Sequence, residues 1–226
     1  MFKRVSASIL CLDYENKEIL KQALTDVENA GADFVHLDVM DGKFVPRKTF
    51  GPKLVNYVKE NTSLMLDVHL MVENPEAVID DYIKLGVDII TFHYESTEKP
   101  KELLKKIKDK NILAGISISP KTPAYKIKDI VSSGLADVVL VMGVEPGASG
   151  QAFIPGSAEK VAEIHEFNKS TYIEIDGGVN LKNAKLLRKV GADILVSSST
   201  LFNAKNMKKA VKILKGTDIC SLFKQN

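Results

Sequence analysis

Two imidazoles and two carboxylates lie near the ends of apolar segments that have the length of β-strands. His36 and Asp38 alternate with apolar residues, so both side chains point to one face of their strand. His69 lies near the end of a second such segment and Asp176 ends a third. An ionised aspartate is costly to bury alone, so Asp38 needs a compensating partner elsewhere in the chain.

These four residues match the ligand chemistry of a divalent metal ion. Two imidazoles with two carboxylates suit Zn²⁺ first, and they also suit Fe²⁺, Mn²⁺ or Co²⁺. A metal would supply the compensation that Asp38 lacks. The alternative is that each residue makes a separate hydrogen bond in a polar pocket.

His93 ends a fourth apolar segment and Glu95 follows it closely. This pair either supports the metal site from behind or has a structural role. His165 falls inside a helical pattern and is interpreted as an ordinary surface or core residue.

Small residues follow three predicted strands near the C-terminus. Such residues let backbone N–H groups approach an anion, and phosphate sites in parallel barrels form from loops of this kind. Together they predict a phosphate site, although the first stretch alone also fits a flexible loop. The candidate residues are Gly147, Ala148, Ser149, Gly150, Gly177, Gly178, Ser198 and Ser199.

Three methionines at strand ends either fill the core or cover the reacting carbons: Met40, Met71 and Met142.

Strand-length apolar segments alternate with amphipathic segments along the whole chain, which predicts eight βα units. Eight such units in 226 residues fit an α/β fold of the closed (β/α)₈ barrel type, and an open doubly wound sheet is the competing architecture. In that barrel the site lies in the loops at the carboxyl ends of the strands. The predicted strands are Val5–Leu10, Phe34–Val39, Leu64–Leu70, Asp88–His93, Ile112–Ile118, Asp137–Met142, Tyr172–Asp176 and Ile194–Ser197.

A short pattern with glycine and then aspartate recurs between predicted helices and strands. Each glycine is expected to end a helix in a left-handed cap, and a strand begins just after each aspartate. This repetition favours a single catalytic domain over residues 1–226. Its four copies are Ala30–Asp33, Leu85–Asp88, Ser133–Asp137 and Val190–Asp193.

The composition narrows the functional class. Hydrophobic residues make up 45% of the chain and the net charge is +2, which is too mild for nucleic-acid binding but fits an anionic substrate. Cys11 and Cys220 are far apart, so we expect no disulfide and a cytoplasmic location. No apolar run has the length of a membrane span, so we expect no membrane partner.

These motifs together resemble the ribulose-phosphate 3-epimerase family over nearly the whole chain. The family fold is a (β/α)₈ barrel, and its members interconvert D-ribulose 5-phosphate and D-xylulose 5-phosphate in the pentose phosphate pathway. The resemblance is carried by Ser8–Leu10 with Asp13, His36–Gly42 with Phe44–Pro46, Asp67–Val72, His93–Glu95, Pro146-Gly147 with Gly150-Gln151 and Phe153, Asp176–Gly178, and Gly191–Asp193.

The resemblance also implies residue roles. His36, Asp38, His69 and Asp176 would bind the metal, and Asp38 and Asp176 would be the acid and base. Two carboxylates suit epimerisation, because a proton leaves one face of C3 and returns to the other through a metal-stabilised enediolate. Ser8 and His69 would contact the ketose phosphate, the three methionines would cap it, and the small-residue loops would hold its phosphate. We also expect a homo-oligomer.

Three positions depart from the family pattern and leave the substrate open. Ser198 stands where the family usually has glycine. Gly143 stands where a residue with a hydroxyl group is common, and Arg47 stands where asparagine is usual. A 3-epimerase of a six-carbon ketose phosphate such as allulose 6-phosphate is therefore an alternative. A phosphosugar lyase is disfavoured because no lysine ends a predicted strand. A non-catalytic phosphosugar-binding barrel is the remaining alternative.

Overall fold

Eight parallel strands close into a barrel in the computed structural model, which describes residues 3–148 and 150–217. Each strand pairs with its neighbours in sequence, and the last pairs with the first. The predicted (β/α)₈ barrel is therefore confirmed, and the open doubly wound sheet is wrong. The strands are β1 Arg4–Ser8, β2 Phe34–Met40, β3 Met65–Met71, β4 Ile89–His93, β5 Leu113–Ile118, β6 Val138–Met142, β7 Tyr172–Asp176 and β8 Ile194–Ser197.

Helices follow the strands and cover the outside of the barrel. Their apolar stripes pack on outward-facing Val, Ile and Leu side chains, so most of the core lies between strands and helices. The helices are α1 Lys17–Ala30, α2 Pro52–Glu60, α3 Ile79–Leu85, α4 Pro100–Lys108, α5 Lys128–Ser132, α6 Gly156–Phe167, α7 Ala184–Lys189, α8 Ser199–Phe202 and α9 Met207–Lys215. Within the described ranges, no helix is long and apolar enough to cross a bilayer.

Polar side chains end some elements earlier than hydrophobic periodicity predicts. Strand β1 stops at Ser8 instead of Leu10, because the Ser8 hydroxyl accepts a hydrogen bond from the Leu10 N–H and caps a 3₁₀ turn. The last unit contains the additional short helix α8, which the sequence pattern did not predict. Two residues with sequence predictions, Ser149 and Cys220, lie outside the described residues.

The recurrent aspartates join the strands in pairs at the amino end of the barrel. Each one follows a glycine with positive φ and precedes an even-numbered strand. Gly31 and Gly86 cap their helices in the left-handed conformation as predicted, but α5 and α7 are capped by Ser133 and Val190, one residue before the glycine, so the prediction is wrong there. The N–H of each aspartate donates to a carbonyl of the preceding strand, and its carboxylate accepts from the N–H of that same residue. The four pairs are Asp33 with Val5, Asp88 with Leu66, Asp137 with Ala114 and Asp193 with Ile173.

We predict that Asp193→Ala lowers the free energy of unfolding by about 1–3 kcal/mol, because the buried Ile173 N–H loses its acceptor. Urea denaturation measures the change. Asp26→Ala is the matched control, since Asp26 is exposed on α1 and accepts only from the Gln22 amide. Equal losses in the two variants would contradict a special role for the strand-joining aspartate.

Candidate active site

The four predicted metal ligands meet inside the carboxyl end of the barrel. Strand β2 supplies His36 and Asp38, β3 supplies His69, and β7 ends with Asp176. Asp38 and His69 are direct neighbours across the β2–β3 pairing. Because all eight strands are parallel, residues from distant parts of the chain reach one place.

Short distances connect these side chains. The Asp38 Oδ1 atom lies 3.3 Å from His36 Nε2 and 3.4 Å from His69 Nδ1, and Asp176 Oδ2 lies 4.0 Å from His36 Nε2. Both imidazoles are fully buried, Asp38 is 2% exposed, and Asp176 is 17% exposed. Asp176 is therefore the member of this group most open to the cleft above.

A second layer of polar residues supports His36 from below. The His36 Nδ1 atom lies 2.6 Å from Asp67 Oδ2 and 3.8 Å from Glu174 Oε1, and the Ser6 hydroxyl donates to Asp67 at 2.8 Å. All four residues are fully buried. The sequence analysis assigned no role to Ser6, Asp67 or Glu174, although Asp67 and Glu174 alternate with the predicted site residues His69 and Asp176 on their strands.

The two aspartates have opposite pKa shifts. Burial raises the pKa of Asp176 to about 7, and the Asp38 charge adds to that shift. Burial acts in the same direction on Asp38, but the charge and hydrogen bond of His36, with a smaller contribution from the nearby His69, overcome it and hold the pKa of Asp38 well below the usual range. At neutral pH Asp38 is thus ionised while Asp176 readily carries a proton.

The histidines also differ. Burial lowers the pKa of His36, but the stronger combined effect of the Asp67 and Asp38 charges raises it well above the usual range. Burial lowers the pKa of His69, and it lowers that of His93 to about 4, so both of these imidazoles are neutral. In the metal-free protein the positive charge beside Asp38 is therefore the His36 proton.

The donor set fits a divalent cation. One ligand atom from each of His36, Asp38, His69 and Asp176 lies within 4.8 Å of all the others. The buried His36 Nε2 atom has no hydrogen-bond partner among the described residues. Two imidazole nitrogens and two carboxylate oxygens are ligands that Zn²⁺, Fe²⁺, Mn²⁺ and Co²⁺ all accept.

A cleft above the aspartates brings the predicted phosphate loops together. The loops after strands β6, β7 and β8 each contribute small residues to the wall of this cleft. Ser8 and the predicted apolar cap also line it. Of the sequence predictions, the cleft contains Ser8, Asp38, Met40, Met71, Met142, Gly147, Ala148, Gly150, Asp176, Gly177, Gly178, Ser198 and Ser199. Residues without a predicted role that line it include Val144, Val179, Asn180 and Thr200.

Two methionines form an apolar cluster at one side of the cleft. Met40 and Met71 are buried and pack with Leu10, Val45 and Phe44. Phe44 also lies over the His93 ring, with centroids 4.7 Å apart. Met40 and Met71 are thus buried and also line the cleft, so the two alternatives for them, core filling and a cover over the reacting carbons, are compatible.

The structure explains the three departures from the family pattern. Ser198 has a negative φ of −113°, so this position does not need the left-handed backbone that favours glycine, and its hydroxyl donates to the Ser8 carbonyl at 2.8 Å. Arg47 donates to the Leu10 carbonyl and links the loops after β1 and β2. Gly143 donates to the Asp176 carbonyl at 2.5 Å, and a Cβ there would lie 2.3 Å from the Gly177 oxygen.

Comparisons with known proteins agree with this architecture. The profile of the ribulose-phosphate 3 epimerase family matches residues 4–202. The ribulose-phosphate 3-epimerase of Chlamydia pneumoniae is 39% identical over 216 residues, which cover 93% of this chain and 90% of that protein. That of Bacillus subtilis strain 168 is 38% identical over 219 residues, with 95% and 99% covered.

A solved structure gives an independent comparison of the fold. KGPDC from Streptococcus mutans superposes with a TM-score of 0.71, covering 96% of this chain and 97% of that one. The two sequences are 15% identical, so the likeness concerns the barrel alone.

We predict that divalent metal binding weakens as pH falls below about 7. Asp176 holds a proton below its raised pKa, and His36 holds one as well, so both protons must leave when a metal binds. The apparent association constant should fall by about ten- to a hundredfold per pH unit. Calorimetry in two buffers of different ionisation enthalpy counts the released protons, and Asp176→Asn should release one fewer. A pH-independent affinity between pH 5.5 and 8 would contradict the prediction.

We also predict that Gly143→Ala destabilises the protein by about 1–3 kcal/mol, because the added Cβ collides with the Gly177 carbonyl. The same displacement moves the backbone that carries Asp176, so metal affinity should fall too. Urea denaturation and a metal titration measure the two effects. Gly156→Ala is the control, since a Cβ at this first residue of α6 meets no atom of the described chain within 4 Å. A Gly143 variant as stable as the control would refute this account.

Proposed function

This chain belongs to the ribulose-phosphate 3-epimerase family, and from that membership we propose that it interconverts D-ribulose 5-phosphate and D-xylulose 5-phosphate. It is an isomerase that acts on a small phosphosugar. The family profile covers every strand of the barrel, and the aligned relatives cover nearly the whole chain. The six-carbon ketose phosphate gains no separate support from the structure.

The placement of Asp38 on β2 and Asp176 on β7, both in the wall of one cleft, carries the proposed mechanism. Epimerisation removes the C3 proton from one face of the substrate and returns a proton to the opposite face, so it needs one base and one acid. Without a metal, Asp38 is ionised and burial raises the pKa of Asp176 to about 7, so Asp176 takes up a proton more readily than Asp38. A bound metal lowers the pKa of both aspartates, so one of them must still take up a proton in each catalytic cycle. The enediolate intermediate then takes its proton from the other aspartate, and the roles reverse in the other direction.

The metal would be held by His36, Asp38, His69 and Asp176, with zinc proposed first and iron, manganese or cobalt as alternatives. When bound, a divalent cation supplies Lewis-acid stabilisation of negative charge on the substrate oxygens. The Ser8 hydroxyl donates to Asp38 Oδ2 at 2.8 Å and keeps that carboxylate oriented. Ser8 also lines the cleft, where it can contact the substrate. The fully buried His69 is not among the described residues that line the cleft, so its proposed contact with the substrate rests on the family resemblance alone.

The phosphate would lie against the small-residue loops after β6, β7 and β8, far from C3, and would fix the orientation of the sugar. Gly177 and Gly178 both have positive φ, and Cβ atoms there would collide with Val144 and Phe153. These glycines therefore let the loop after β7 pack closely on the loop after β6, and both also line the cleft. Met40, Met71 and Met142 would keep water away from the reacting carbons.

The expectations about domain organisation, self-association and cellular location stay predictions. The chain is proposed to act as one catalytic domain over residues 1–226. Self-association is supported by the exposed apolar side chains Ile19 on α1 and Leu186 on α7, which are 45% and 51% exposed. A cytoplasmic location continues to rest on the sequence alone.

We predict that Asp38→Asn and Asp176→Asn each lower kcat at least 100-fold, because each removes one of two proton-transfer groups. In D₂O each variant should exchange the C3 hydrogen of only one epimer, the one whose C3 hydrogen faces the remaining aspartate. NMR of both pentulose phosphates measures the exchange at saturating metal, and the metal content of each variant is determined on the same sample.

The control is Glu145→Gln, since Glu145 lies on the loop after β6, is 49% exposed and pairs with Lys121. Near-normal epimerisation by either aspartate variant would refute the two-base mechanism.

Wild-type rates on allulose 6-phosphate test the six-carbon alternative, and binding without turnover would identify a phosphosugar-binding barrel. No lysine is among the described residues that line the cleft, which disfavours Schiff-base lyase chemistry.

A further inference from the structure

A chain of three side chains runs from the metal site toward the surface behind His69. The His69 Nε2 atom lies 2.9 Å from His93 Nε2, and His93 Nδ1 lies 3.2 Å from Glu95 Oε2. Both imidazoles are fully buried, and the Glu95 side chain is 25% exposed. We propose that Glu95 and His93 are positioning residues that hold His69 in the tautomer whose Nδ1 lone pair faces the metal site.

The donor and the acceptor in each of these hydrogen bonds follow from counting protons. A carboxylate only accepts hydrogen bonds, so the His93 nitrogen that faces Glu95 must carry the proton. A neutral imidazole has a single N–H, so His93 Nε2 is an acceptor. The hydrogen bond at 2.9 Å then requires His69 Nε2 to donate, which leaves His69 Nδ1 as a lone pair 3.4 Å from Asp38.

Glu95 is held firmly as the fixed end of this chain. Its Oε1 atom accepts hydrogen bonds from the Ser119 N–H, at 2.8 Å, and from the Thr122 hydroxyl. The Lys160 ammonium binds the carbonyls of Ser119 and Thr122 from the other side of that loop. These donors fix the position of the Glu95 carboxylate, so its Oε2 atom stays within hydrogen-bond distance of His93 Nδ1.

The two candidate ligand imidazoles are therefore oriented by different carboxylates through different nitrogens. His36 donates from Nδ1 to Asp67 and presents Nε2, whereas His69 donates from Nε2 to His93 and presents Nδ1. Asp67 is fully buried, but Glu95 is reachable from solvent. This difference makes the Glu95 branch accessible to a chemical test. The proposal deepens the proposed function by explaining how one of its ligands is oriented.

Imidazole ¹⁵N–¹H correlation spectra of the wild-type protein, metal-free and Zn²⁺-loaded, test the tautomers directly. We expect protonated Nδ1 on His93 and protonated Nε2 on His69. A spectrum with the proton of His69 on Nδ1 would overturn the proposal without any variant. Because neither spectrum requires turnover, failure of the epimerase assignment would leave this result interpretable.

Glu95→Ala tests the role of the carboxylate. We expect a mixture of His69 tautomers and a Zn²⁺ affinity about 10- to 100-fold weaker, measured by competition with a chromophoric chelator. Added formate should refill the vacated position and restore both readouts, whereas chloride at equal ionic strength should not. Glu98→Ala is the control, since Glu98 is exposed in the same loop. An unchanged His69 spectrum and unchanged affinity in Glu95→Ala, or a loss that formate leaves unaltered, would overturn the proposal.

Discussion

The buried Asp38 carboxylate sets the conditions for the rest of the site. It is 2% exposed, and a charge in that position is tolerated only when donors surround it. The Ser8 hydroxyl donates to it, protonated His36 supplies the opposite charge, and the His69 Nδ1 atom lies 3.4 Å away. The two imidazoles need their own support, which extends the requirement through the polar middle of the barrel to Asp67 and, by way of His93, to Glu95.

Much of this arrangement was predictable from the sequence, because parallel strands bring their carboxyl ends together. His36, Asp38, His69 and Asp176 could be grouped by that rule alone. The contact between His36 and Asp67 could not, because it depends on the pairing register of β2 and β3, which places these two residues side by side. Alternation along a strand gives the face of a side chain, but it does not give its neighbour on the next strand.

The ends of elements were harder to predict for a related reason. The Ser8 hydroxyl ends β1 by bonding to a nearby backbone N–H, and Ser198 precedes a short helix while its hydroxyl holds the Ser8 carbonyl. Hydrophobic periodicity carries no signal for such local hydrogen bonds. Gly143 illustrates the same limit, since its importance lies in the approach of Gly177 from another strand end.

The four strand-joining aspartates hold the strands together at one end of the barrel, while the chemistry takes place at the other end. They fix β1 to β2, β3 to β4, β5 to β6 and β7 to β8 at the amino end, while every group assigned to chemistry lies at the other end. Loops and ligands at the carboxyl end can therefore be exchanged over generations while the strand pairs stay in place. Because stability and chemistry depend on opposite ends of the barrel, the same fold can acquire new reactions without losing its strand pairing.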